Sequence, residues 1–144
     1  MSLSTWYHLA YSLNAATGAL NMYQNGVSVA PASPTITDAT IDWSRASFGI
    51  MGKADGSGSE ANGYIQEMWF DPSQYIDFSD SAERDKFALA GKPVDLGATG
   101  NTPTGTAPPI YLNKEYSTFH QNAGTGNDFT SADPLTDSGI SPSD

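Results

Sequence analysis

Apolar and polar residues alternate with period two over residues 6–13, setting Tyr7, Leu9, Tyr11 and Leu13 on one side and Trp6, His8, Ala10 and Ser12 on the other. Both sides carry apolar groups, which predicts a strand inside a sheet. Asn14-Ala15-Ala16-Thr17-Gly18 reads as a turn and residues 20–23 as a second strand. Asn25-Gly26 predicts a two-residue type I′ turn, because both central positions need positive φ, and residues 27–29 complete the hairpin. Pro31 and Pro34 interrupt regular structure. Residues 36–43 and 47–52 are further strand candidates, with a Gly/Ser-rich loop over 55–62. Residues 64–70 form the most apolar strand candidate, closed by Asp71-Pro72.

One short helix is expected near 80–90. Ser79 or Asp80 can cap it, and Asp80-Ser81-Ala82-Glu83 has capping-box spacing. Phe87 is expected to anchor it to the core and Gly91 to end it. Beyond Gly91 the expected strands are short: 94–96, 110–112 and 117–120, around an irregular Gly/Thr/Pro-rich stretch at 97–109. Residues 122–144 are polar, with Phe129, Leu135 and Ile140 as the few anchors. They read as an ordered surface wrap or a disordered tail. There is no internal repeat.

Composition fits a strand-and-turn protein: 38% of the 144 residues are hydrophobic and only 15% charged, with 14 Gly and 9 Pro. The net charge of −10, from 16 acidic and 6 scattered basic residues, repels phosphate backbones and argues against nucleic acid as a partner. It disfavours anionic membranes equally, and no apolar run approaches the ~18 residues of a membrane-spanning helix. With no cysteine there is no disulfide, thiolate metal site or cysteine nucleophile. Residues 1–6 lack the basic and apolar regions of a signal peptide.

Trp6-Tyr7-His8-Leu9-Ala10 followed by Gly18-Ala19-Leu20-Asn21-Met22-Tyr23-Gln24-Asn25-Gly26 resembles the central strands of laminin-G-like, concanavalin A-like modules. There the pattern reads W-x-H-[VLI]-A, a turn, then G-x-L-x-x-Y-x-N-G. Phe48-Gly49-Ile50-Met51-Gly52 looks like the next strand, and Gly63-Tyr64-Ile65-Gln66-Glu67-Met68-Trp69-Phe70 looks like the G-x-I-x-E-[VLM]-x-[FY] strand. The likeness covers residues 6–78. It implies an all-β fold, an antiparallel β-sandwich of jelly-roll type, over residues 1–121, with 122–144 as a polar C-terminal extension. In that family the Trp-x-His strand lies near mid-domain, whereas here it opens the chain. The expectation is a C-terminal portion, a small variant, or a sandwich completed by another chain. An open sandwich exposes apolar sheet face and strand edges, so a homo-oligomer or a completing partner chain is expected. Residues 87–108, 122–129 and 141–144 also resemble the tails of laminin-G-like proteins of phages and prophages, implying an extracellular or virion-associated setting.

Glycosidase relatives of this fold carry E-x-D-x-x-E on one strand, since hydrolysis needs two carboxyl groups about 5–9 Å apart. The triplet is absent here, so no enzymatic activity is expected. Glu67 is expected to pair with a backbone or basic group at a sheet edge, and His8 to be a hydrogen-bonded core histidine. Calcium is the candidate cofactor, with Asp55, Glu60, Asn62, Asp71 and Asp77 in loops able to offer oxygens. No fixed spacing supports it, and an acidic chain always has solvated loop carboxylates. For a glycan or protein ligand, Trp43, Tyr75, Tyr111 and Tyr116 are candidate contact residues because they lie at or near loops, while Trp6 and Trp69 read as core.

Overall fold

The computed structural model describes residues 5–32, 34–36, 63–130, 137 and 139. The expected strands at 36–43 and 47–52 and the 55–62 loop lie wholly or mostly outside them. Among the described residues the architecture is small antiparallel sheets with little helix.

The first sheet holds β1 (Leu9–Asn14), β2 (Ala19–Gln24) and β3 (Val27–Ser28) in the order β1-β2-β3. Asn25 and Gly26 have φ of 51° and 77°, as the expected type I′ turn requires, and they join Gln24 to its partner Val27. Asn25 also clips the hairpin to the strand beginning. His8 N–H donates to Asn25 Oδ1 (2.8 Å) and Asn25 N–H donates to the His8 carbonyl (2.9 Å). At the other end Asn14 Oδ1 accepts from the N–H groups of Ala16 and Thr17, which closes the β1–β2 loop as an Asx turn.

Of the two faces predicted for residues 6–13, the one that carries Ala10 and Ser12 points inward. Ala10 and Ser12 are buried, and Leu9 and Tyr11 are exposed. Small side chains let the sheet approach a cluster built by Ile76, Phe78, Phe87, Leu96 and Tyr111. Phe87 sits at the centre, meeting Trp69 and Phe78 edge-on with ring centroids 5.2 and 5.5 Å away. Arg84 ties hairpin to core. Its guanidinium lies 4.1 Å from the Tyr23 ring centroid and donates to the carbonyls of Phe78 and Ser79.

The helix α1 (Ser81–Asp85) is shorter than expected. Asp80 caps it by accepting from Ala82 N–H (2.8 Å), but Glu83 turns to Lys86 and leaves the capping box half formed. The chain leaves the helix because Phe87 N–H bonds the Arg84 carbonyl three residues back, swinging Phe87 into the aromatic cluster. Gly91 therefore does not end the helix. It forms with Ala90 the turn of a hairpin, β5 (Ala88–Leu89) and β6 (Lys92–Pro93), once β4 (Met68–Phe70) has been laid down earlier in the chain. Residues 94–96 are not a strand, and of residues 64–70 only β4 enters a ladder, pairing with β7 (Ile110–Leu112). The expected strand at 117–120 is instead a 3₁₀ turn over Tyr116–Thr118.

The boundary expected at 121/122 falls inside a hydrogen-bonded seam. Asn122 Oδ1 accepts from Tyr111 N–H (2.8 Å), its Nδ2 donates to the Pro109 carbonyl (2.8 Å), and Ala123, Thr125 and Gly126 N–H groups reach Tyr111, Pro108 and Pro109 carbonyls. Residues 122–126 thus wrap onto the segment entering β7.

Candidate functional site

Chain geometry around β4 and α1 gathers polar groups into two shallow clefts. The first, about 220 Å³, is lined by Gln66, Glu67, Val94, Asp95, Tyr111 and Asn113. Glu67 precedes β4, and its carboxylate accepts from the Tyr111 hydroxyl at 2.7 Å. That corrects the expectation of a backbone or basic partner. The cross-strand register, which sets Met68 opposite Leu112 and Trp69 opposite Tyr111, brings the two side chains together. Burial raises the Glu67 pKa; the Tyr111 hydrogen bond opposes this and the charge of Asp95 adds to it. Burial, then the Glu67 hydrogen bond and charge, push the Tyr111 phenol well above its ordinary range.

Tyr111 was expected to offer its ring at a loop. It is instead 1% exposed, because it lies in β7 with its ring against Gly100 and the core. Its ring face is not available for stacking.

The second cleft, about 420 Å³, is lined by Gln74, Tyr75, Ile76, Asp77, Glu83, Lys86, Pro103 and Thr104. Here two residues named on separate grounds, Tyr75 and Asp77, stand side by side. Tyr75 is 38% exposed. Its hydroxyl accepts from Asn21 Nδ2 at 3.0 Å and lies 3.5 Å from Asp77 Oδ1. The Asn21 bond fixes the ring from the β1–β2 hairpin, so an exposed aromatic is held in place by a distant element. Ser12 Oγ accepts from the same amide at 3.3 Å and completes the support. Gln74, Thr104 and the Glu83–Lys86 ion pair supply further donors and acceptors on the cleft walls.

The loop carboxylates mostly serve the backbone. Asp71 Oδ1 accepts from Ser73 N–H and Oγ, and its Oδ2 from Gln74 Nε2 (2.7 Å). Burial works to raise the Asp71 carboxyl, but these hydrogen bonds together hold it below its ordinary value. Asp77 repeats the arrangement with Ser79 N–H and Oγ, which lowers its pKa. Asp95 caps Gly97 N–H, and Asp137 caps Gly139 N–H, in the same way. This Asp-x-Ser/Gly pattern is visible in the sequence once its backbone role is recognised. Among the described residues no three His, Asp or Glu side chains gather around a metal position. Asp55, Glu60 and Asn62, the other calcium candidates, and Trp43 lie outside the described residues.

Tyr116 is 49% exposed on the 3₁₀ turn and lines neither cleft. His8 is partly buried, which lowers its pKa. No helix among the described residues is long and apolar enough to cross a membrane. No protein-family model, curated protein or solved structure matches the chain.

Proposed function

We propose that this chain is a non-catalytic recognition module that binds a hydroxyl-rich ligand, a glycan or glycan-bearing surface, in the Tyr75 cleft. The observation that carries the reading is the exposed Tyr75 ring, braced by Asn21 and set beside Asp77 in an open polar cleft. Pyranose rings are recognised by an aromatic face for their C–H groups and by fixed acceptors and donors for their hydroxyls. Asp77 accepts, Gln74 and Thr104 can do both, and Lys86 donates. In this reading the small antiparallel sheets are parts of a jelly-roll, concanavalin A-like sandwich completed by another chain, in an extracellular or virion-associated protein; what supports it is the all-β, antiparallel class alone. Calcium enters this reading only as an addition to be tested alongside the ligand.

The test is a saccharide array followed by calorimetric titration of hits, with and without calcium. Tyr75→Ala is expected to abolish binding, and Tyr75→Phe, which keeps the ring but loses the Asn21 brace, to weaken it without abolishing it. Absence of any saccharide binding at millimolar concentration, or equal affinity of the Ala variant, would overturn the proposal. A second reading, a structural assembly component without carbohydrate affinity, draws on the apolar outer face of the β1–β3 sheet.

A further inference from the structure

We infer that the outward face of the β1–β3 sheet docks a second copy of this chain, sheet on sheet, in a weak two-fold dimer. Two rows of side chains cross that face. Register sets Tyr11 beside Met22 and Leu9 beside Gln24, with Val27 opposite Gln24. Val29 joins the first row, since its N–H bonds the Met22 carbonyl at 2.8 Å. Leu9, Tyr11, Val27 and Val29 are 60, 58, 67 and 50% exposed. All four are large apolar side chains left in solvent, while Ala10, Ser12 and Tyr23 face the core.

Charge is compatible with a second copy at this face and argues against a charged partner. Residues 1–37 contain no Asp, Glu, Lys or Arg, so every one of the 16 acidic and 6 basic residues lies from Asp38 onward. Two copies, each of net charge −10, repel wherever their acidic surfaces approach. The neutral sheet face is where that repulsion is least, and it carries no charge to desolvate, as interface centres generally do not. A basic partner would find no counter-charge there to read.

Area sets the strength. The four exposed side chains offer on the order of 400 Å² per copy, the size of a large patch on a monomer. Pairing two such faces buries roughly 800–1,000 Å², below the ~1,200 Å² of stable complexes and in the range of weak, transient association. A two-fold stack of twisted sheets at about 30° brings like row against like row. The dimer is therefore weak, concentration-dependent and strengthened by salt, which screens the repulsion.

Sedimentation velocity from low micromolar to millimolar protein tests this. The mass is expected to rise from 15.2 kDa toward twice that value, and to rise earlier at higher salt. Tyr11→Lys and Val27→Lys are expected to hold the protein at monomer mass with unchanged circular dichroism. Each lowers the net negative charge, so loss of the dimer reports the charge placed in the face itself and not greater overall repulsion between the copies. A monomer at every concentration, or a dimer indifferent to both variants, would overturn the inference. So would hydroxyl-radical footprinting that finds Tyr11 and Met22 protected in the monomer, since the chain itself would then cover the face.

Discussion

The Tyr111 hydroxyl donates to Glu67 Oε1 at 2.7 Å, so a half-buried carboxylate is held by a phenol rather than by a cation. Burial with no cation to neutralise it makes this carboxylate sensitive to pH, and the Tyr111 hydrogen bond offsets only part of that. The folded-state pKa of Glu67 lies above its ordinary value of 4.5, so the fold holds this proton more tightly than the unfolded chain does. The associated stability is complete below 4.5 and is lost as pH rises through the raised value.

Tyr111→Phe removes the donor and leaves the carboxylate unsatisfied. It is expected to cost about 1.5–3 kcal/mol at neutral pH and to raise the Glu67 pKa further. Glu67→Gln keeps an acceptor and removes the charge, so it is expected to match or exceed the parent at pH 7 and to flatten the pH dependence above 4.5. Urea unfolding across pH, with carboxyl carbon NMR titration, measures both.

His8 gives the opposite slope. Burial holds its folded-state pKa below 6.5, so the stability it contributes is present above 6.5 and is lost as pH falls through the depressed value. His8→Gln is expected to remove that acid-side loss, seen as a smaller drop in unfolding midpoint between pH 7.5 and 5.5.

Arg84 joins three elements through Tyr23, Phe78 and Ser79. Arg84→Ala is expected to cost about 1.5–3 kcal/mol, since charge-assisted bonds to carbonyls and a cation–π contact go together. Arg84→Lys restores charge without the planar fork and is expected to recover only part of it in thermal unfolding.

Two positive-φ positions predict opposite signs. A Cβ on Gly100, at φ 73°, would meet Tyr111 Cγ at 2.7 Å, so Gly100→Ala is expected to be strongly destabilising, by more than about 2 kcal/mol. Ala90 already carries a Cβ at φ 52° in the β5–β6 turn. Ala90→Gly or Ala90→Asn is expected to stabilise by about 1 kcal/mol in chemical denaturation.

The β1–β3 hairpin was legible in the sequence because its signals are local. Period-two alternation and the Asn25-Gly26 turn act over a few residues and need no partner element. The Asp80 cap was legible for the same reason. The length of α1 was not, because Phe87 gains more from Trp69 and Phe78 than from another helical turn. In the candidate site, Tyr75 and Asp77 were named singly, as an aromatic and an acid near loops. Their support by Asn21, 54 residues from Tyr75, leaves no trace in either segment.

Local chain chemistry by itself determined the turns, the caps, the neutral first 37 residues and the antiparallel class. Which face of β1 meets the core, and the burial of Tyr111, were decided only by tertiary packing. Alternation defines two faces equally well. The choice between them rests on the room left by an aromatic cluster from residues 69–111, which admits Ala10 and Ser12 and turns Leu9 and Tyr11 out.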